Sequence, residues 1–164
     1  MLRELIQSQY GEIEFGVMSD HIFEFLRSKK VPQWLIDELS QASTSHFVAI
    51  GPLTLPPVMT LDQNNTGEPY GCFCDSGFLN IAYGPNGDHI AVELISGKVL
   101  FVHHDELDEY FEDFFDVANA PDVRTRMIDT GMTFYEFWKA AATEKDFPCD
   151  AYEAEERWPR YLTE

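Results

Sequence analysis

Apolar and polar positions alternate most sharply between Phe78 and Asp105, in the stretch FLNIAYGPNGDHIAVELISGKVLFVHHD. Three short apolar runs are separated there by two turn signals. In the first, Leu79, Ile81 and Tyr83 alternate with Phe78, Asn80 and Ala82; in the second, Ile90, Val92 and Leu94 alternate with His89, Ala91 and Glu93. A period of two is that of strands, one set of side chains to each face. The third run, Val99 to His103, is apolar almost throughout, as in a strand covered on both faces. Asn86-Gly87 is a strong hairpin cue because both residues tolerate positive φ. Ile95-Ser96-Gly97-Lys98 offers a second glycine for a left-handed turn position. The pattern predicts an antiparallel three-stranded meander.

On either side the period lengthens to that of helices. Leu2, Leu5, Ile6 and Tyr10 predict a lead-in helix ending near Gly11. Ser19 is placed as an N-cap before Ile22, Phe25 and Leu26, with Lys29 and Lys30 at the C-terminal end where cations are favoured. Pro32 opens another helix, whose buried stripe reads Trp34, Leu35, Leu39 and Ala42. Phe47 to Ile50 suggests a strand broken at Gly51-Pro52, and Pro56-Pro57 confines its neighbours to a sheet edge. Thr133 and Glu136 form a capping box before Phe134, Phe137, Trp138 and Ala141. Residues 143–164 read as a polar tail held down by Trp158 and Tyr161.

Together these elements predict an α+β fold: an antiparallel sheet of about four to six strands around the 78–104 meander, packed against N- and C-terminal helices. The 164 residues suit one domain, with an added helix in 1–18 and a tail in 143–164. No run is long and apolar enough to span a membrane, and glutamates interrupt the N-terminal stretch where a signal peptide needs an apolar core, so a cytoplasmic location is expected. Cys72, Cys74 and Cys149 are an odd set, read as reduced thiols; Cys72 and Cys74 sit too close for the usual zinc knuckle.

Charge narrows the function. There are 29 acidic residues against 11 lysines and arginines, a formal net charge of −18. Such a field repels phosphate backbones, which argues against nucleic-acid binding, and steers basic partners inward. The densest block is Asp105 to Asp116, DELDEYFEDFFD, in which seven of twelve residues are acidic. Leu107, Tyr110, Phe111, Phe114 and Phe115 give it a greasy helix face, so the acidic face reads either as solvated surface or as a docking ridge.

The meander also resembles the SUKH superfamily, which contains cell-wall-synthesis regulators of the SMI–KNR type, the bacterial Syd protein and many bacterial immunity proteins. Gly84, Gly87, Asp88, Gly97, Val99, His104 and Asp105 carry the resemblance. Val31-Pro32 before Trp34 is similar to that family's opening helix, and Phe134 to Trp138 to the helix that closes many of its members. Ser43-Thr44-Ser45-His46 stands where the family often has an Asn-Gly-Gly turn, a departure in this region. The resemblance implies a SUKH-like domain that works by binding another protein: an immunity protein neutralising a basic, often nuclease, toxin. A regulatory or scaffolding module is the alternative. The contact residues read from charge and exposure are Tyr83, Asp88, Glu93, Asp105, Glu106, Asp108, Glu109, Glu112 and Asp113.

Catalytic motifs are sparse. There is no nucleophile elbow, P-loop or dinucleotide fingerprint, so neither enzyme activity nor a cofactor is expected. A metal-dependent enzyme using His103 or His104 with Asp105 is the remaining rival, although neighbours on a regular strand point to opposite faces. Asp88 has a structural reading as well, as an acceptor for turn N–H groups that pins the hairpin.

Overall fold

The computed structural model describes residues 1–66, 74–107 and 123–161. Six strands form one antiparallel sheet in chain order: β1 (Val48–Ile50), β2 (Leu53–Leu55), β3 (Phe78–Tyr83), β4 (His89–Glu93), β5 (Lys98–Val102) and β6 (Met127–Thr133). Helices α1 (Leu2–Tyr10), α2 (Asp20–Ser28) and α3 (Gln33–Gln41) precede it; α4 (Phe134–Thr143) and α5 (Ala151–Arg157) follow β6. The α+β architecture expected from the pattern is the one observed.

The local signals act as read. Gly11 closes α1, and the Ser19 side chain accepts the Ile22 N–H at the start of α2. The Thr133–Glu136 capping box opens α4, with Glu136 accepting the Thr133 N–H at 3.0 Å. Such caps satisfy donors that the first helical turn leaves without partners.

The meander has a flaw that alternation cannot reveal. Asn80 pairs with Ala91 but Ala82 pairs with Ile90, so Ile81 is an extra residue in β3. This β-bulge turns Ala82 onto the face of Leu79 and Ile81, and Tyr83 onto the other, reversing the expected alternation at the end of β3. Asn65 steadies the bulge: its side chain accepts the Asn80 N–H at 2.9 Å and donates to the Asn80 carbonyl at 3.0 Å. It stands in for the strand neighbour that short β2, paired to β3 only at Thr54–Tyr83, does not supply.

Both faces are dry. On one, Leu79, Ile90, Val92, Val99 and Phe101 pack with Ile6, Leu26, Leu35, Phe137 and Trp138 from the helices. Each of these large side chains contributes roughly 1.5–3 kcal/mol by leaving water. On the other, Phe78, Ala91, Leu100, Val102 and Met127 gather with Leu107 and Val123, and Tyr161 packs alongside. β5 thus feeds both clusters, as its unbroken apolar run requires.

Two readings are corrected. Residues 143–164 are not a plain tail: Asp150 caps α5, accepting the Glu153 N–H at 2.9 Å. Beyond it, the chain pairs with β6 through Asp129 N–H to Pro159 O (3.1 Å) and Tyr161 N–H to Met127 O (2.7 Å), while Trp158 stacks on Phe101. The aromatics do pin it down, but as a strap on the β6 edge. Trp34, read into the stripe of α3, is 42% exposed; the buried positions there are Leu35, Ile36 and Leu39. It lies one step outside the stripe.

Candidate functional site

The predicted contact residues begin at the loop between β3 and β4. Gly87 donates to the Gly84 carbonyl at 3.2 Å, and Gly84 donates to that of Asp88 at 2.8 Å. Pro85 and Asn86 form the corner of this turn, and Gly87 follows at φ 98°, the conformation that favours glycine. Asn86 is not at positive φ, so the pair does not make the two-residue hairpin that an Asn-Gly signal implies. The Asn86 side chain instead accepts the Asp88 N–H at 3.0 Å and aims Asp88 inward.

Asp88 is 1% exposed and bonded at both oxygens. Oδ1 accepts the His104 N–H at 3.0 Å and lies 2.7 Å from the His104 ring Nδ1. Oδ2 accepts the Asn86 side-chain amide at 3.0 Å and the Ala151 N–H at 2.8 Å. His104 begins the helical turn at 104–107, and Ala151 begins α5. One buried carboxylate therefore caps two helix starts, where N–H groups lack partners and negative charge is favoured. Burial pushes its pKa up, but the bonds from His104, Asn86 and Ala151 outweigh that and hold it below the usual 3.8. None of its donors is a turn N–H, so Asp88 joins elements instead of bracing a single hairpin.

His104 and His103 turn opposite ways. The His104 ring bridges two carboxylates, with Nε2 3.0 Å from Asp105. His103 is buried edge-on against Tyr152 at 4.7 Å, with Nε2 3.5 Å from Glu155. They do not converge on one point, so the two histidines cannot serve one ion together. His89 packs edge-on against Tyr83 at 5.1 Å. Burial, reinforced by the like charge of His104 and opposed by Asp88, pushes its pKa down to about 4.

The remaining carboxylates are largely occupied. Glu106 takes a two-pronged bond from Arg160, both contacts 2.8 Å, and lies 3.5 Å from Arg126. The Arg160 bonds hold its pKa below the ordinary value against the effect of burial. Glu93 sits at the far end of β4, where it accepts from Tyr161 at 3.1 Å and from Ser96. Among the described candidate carboxylates, Asp105, 62% exposed, faces solvent most openly. The structure therefore joins Asp88 and Asp105 through His104 and places Glu106 beside them, but sets Glu93 apart. Asp108, Glu109, Glu112 and Asp113 lie outside the described residues, as do Cys72 and most of the predicted acidic helix.

Among the described residues one trio has ligand atoms close enough to hold a cation: Cys149, Asp150 and Glu153. Its carboxylates already bond backbone N–H groups at the start of α5. Burial and the Glu153 side chain raise the Cys149 thiol to about 11, so it stays protonated. Burial likewise raises Cys74 to about 11. Neither thiol is poised as a nucleophile.

What the pattern missed is apolar. Trp34, Ile95 and Tyr135 are exposed around one groove at the β4–β5 turn. The signal was available: Ile95 lies between two strand ends, where a large apolar side chain has no face to bury. No helix among the described residues is long and apolar enough to cross a membrane. Set against protein-family models, curated proteins and solved structures, the chain matches none.

Proposed function

We propose that this chain is a non-catalytic, protein-binding member of the SUKH superfamily that acts as an immunity protein, neutralising a basic toxin domain. The observation that carries this reading is the net charge of −18. How the cations are held adds to it: Lys29, Lys98, Arg126, Arg157 and Arg160 are all in ion pairs with the chain's own carboxylates. Arg3 and Arg27 lie over Phe15 and Phe23. The field left to approaching molecules is acidic, which speeds encounter with a basic protein and discourages an anionic one. The six-strand meander with helices at both ends suits the same family.

Affinity capture from lysate of the source organism, at low and at moderate salt, tests the reading. One stoichiometric basic protein is expected, released as salt rises and lost when Glu109 and Glu112 are both changed to lysine. Inhibition of that protein's toxicity on binding would establish immunity. Failure to recover a stoichiometric partner under either condition overturns it.

A further inference from the structure

At the end of β4 opposite Asp88, the chain displays large apolar side chains to solvent. Ile95, in the β4–β5 turn, is 93% exposed; Tyr135, in the first turn of α4, is 49% exposed. Trp34 lies between them, its ring edge-on to Phe134 at 5.8 Å. Gly97, at φ 73°, lets that ring lie against the turn: a Cβ there would stand 3.1 Å from Trp34 Cζ2. With Met1, Glu38 and Thr133 these residues line a groove of about 310 Å³, room for a large apolar side chain. A tryptophan held in place and left half in water has little freedom left to lose on binding, as in the anchors of protein interfaces.

The charges around the groove say what fits it. Glu38 lines it, Glu136 follows Tyr135 at its rim, and Glu93 bonds Ser96 on its wall. The cations nearby are already paired: the Met1 ammonium lies 3.6 Å from Glu38, and Lys98 is held by Asp129 at 3.0 Å. A second copy of the chain would bring a further −18 to the same place. We propose that this groove is the docking site for a basic polypeptide segment carrying an apolar anchor; the proposal rests on the protein-binding reading above.

Two short blocked peptides test it: one with a pair of leucines between flanking lysines, the other with serines in place of the leucines. Calorimetric titration of the intact chain should find the leucine peptide bound about tenfold more tightly, with the Trp34 indole N–H resonance shifted on binding. Ile95→Ser should abolish that preference and leave the fold unchanged, since Ile95 is almost wholly in solvent. Phe47→Ser, at another exposed apolar residue, should leave the preference intact. Equal affinity for the two peptides, no binding of either, an unshifted Trp34 resonance, or an unaffected Ile95→Ser overturns the groove. So does sedimentation showing a dimer that Ile95→Ser dissolves. A toxin captured equally well by Ile95→Ser would sink the groove and leave the immunity reading standing; leucine-dependent binding without a captured partner would do the reverse.

Discussion

The two turns of the central meander handle their side chains in opposite ways. The β3–β4 loop buries a carboxylate and bonds both of its oxygens; the β4–β5 turn leaves an isoleucine in water. Polar groups inside and large apolar groups outside both run against the usual partition, and each needs a cause. At the first turn the cause is internal: Asp88 ties together a loop, the exit of β5 and the start of α5. At the second the chain itself supplies no cause, and the cause is sought in a partner. A buried charge and an exposed apolar side chain are equally informative, but only the second points outward.

Removing the tie should have the largest effect. Asp88→Ala leaves the His104 and Ala151 N–H groups without their acceptor and should cost about 3–5 kcal/mol, read as a lowered urea midpoint. Ile95→Ser in the same titration should stay within about 0.5 kcal/mol. Similar losses at the two sites would erase the contrast.

Of the two turns, acidity should act on the buried one. His89 has a folded pKa near 4 against an ordinary 6.5, so the unfolded chain binds the extra proton between those values. Its contribution, about 3 kcal/mol by that shift, is complete above pH 6.5 and lost as pH falls to about 4. Asp88, held below 3.8, adds a further loss as pH falls through its lowered value. Unfolding titrations between pH 7 and 4 should flatten in His89→Phe.

The glycines sharpen the comparison on a smaller scale. Gly87→Val and Gly97→Ala should each cost about 1–2 kcal/mol, because both glycines have positive φ. Gly97→Ala should also move Trp34 and shift the tryptophan fluorescence, whereas a Cβ at Gly87 meets only the His104 ring at 3.9 Å. An unchanged emission from Gly97→Ala would mean that the turn does not hold the indole.

Much of this architecture was legible in the chain. Period-two alternation placed β3 and β4, an almost unbroken apolar run placed β5, and caps at Ser19 and Thr133 placed two helix starts. β6 was not anticipated, because Asp129 and Gly131 interrupt its apolar run and the strap, distant in sequence, completes its pairing. α5 was missed because its buried face is only Ala151 and Ala154, too small to register as a stripe, although Asp150 and Glu153 gave a capping signal. At the site, Asp88 was read both as an exposed contact residue and as a brace of its hairpin, and its burial removes it from the contact surface. Its depth was hidden because its partners lie 16 and 63 residues away.

A meander has two outer strands, and an outer strand is an invitation to pair with a stranger's backbone. This chain declines at both ends. The strap at Pro159–Tyr161 occupies β6, and on β1 the Tyr10 hydroxyl donates to the Ala49 carbonyl and accepts the Ala49 N–H. Sheet extension into another molecule is thereby discouraged, along with the amyloid-like stacking that open edges permit. Recognition by this protein would then be written in side chains, where a few substitutions can retune specificity without disturbing the sheet.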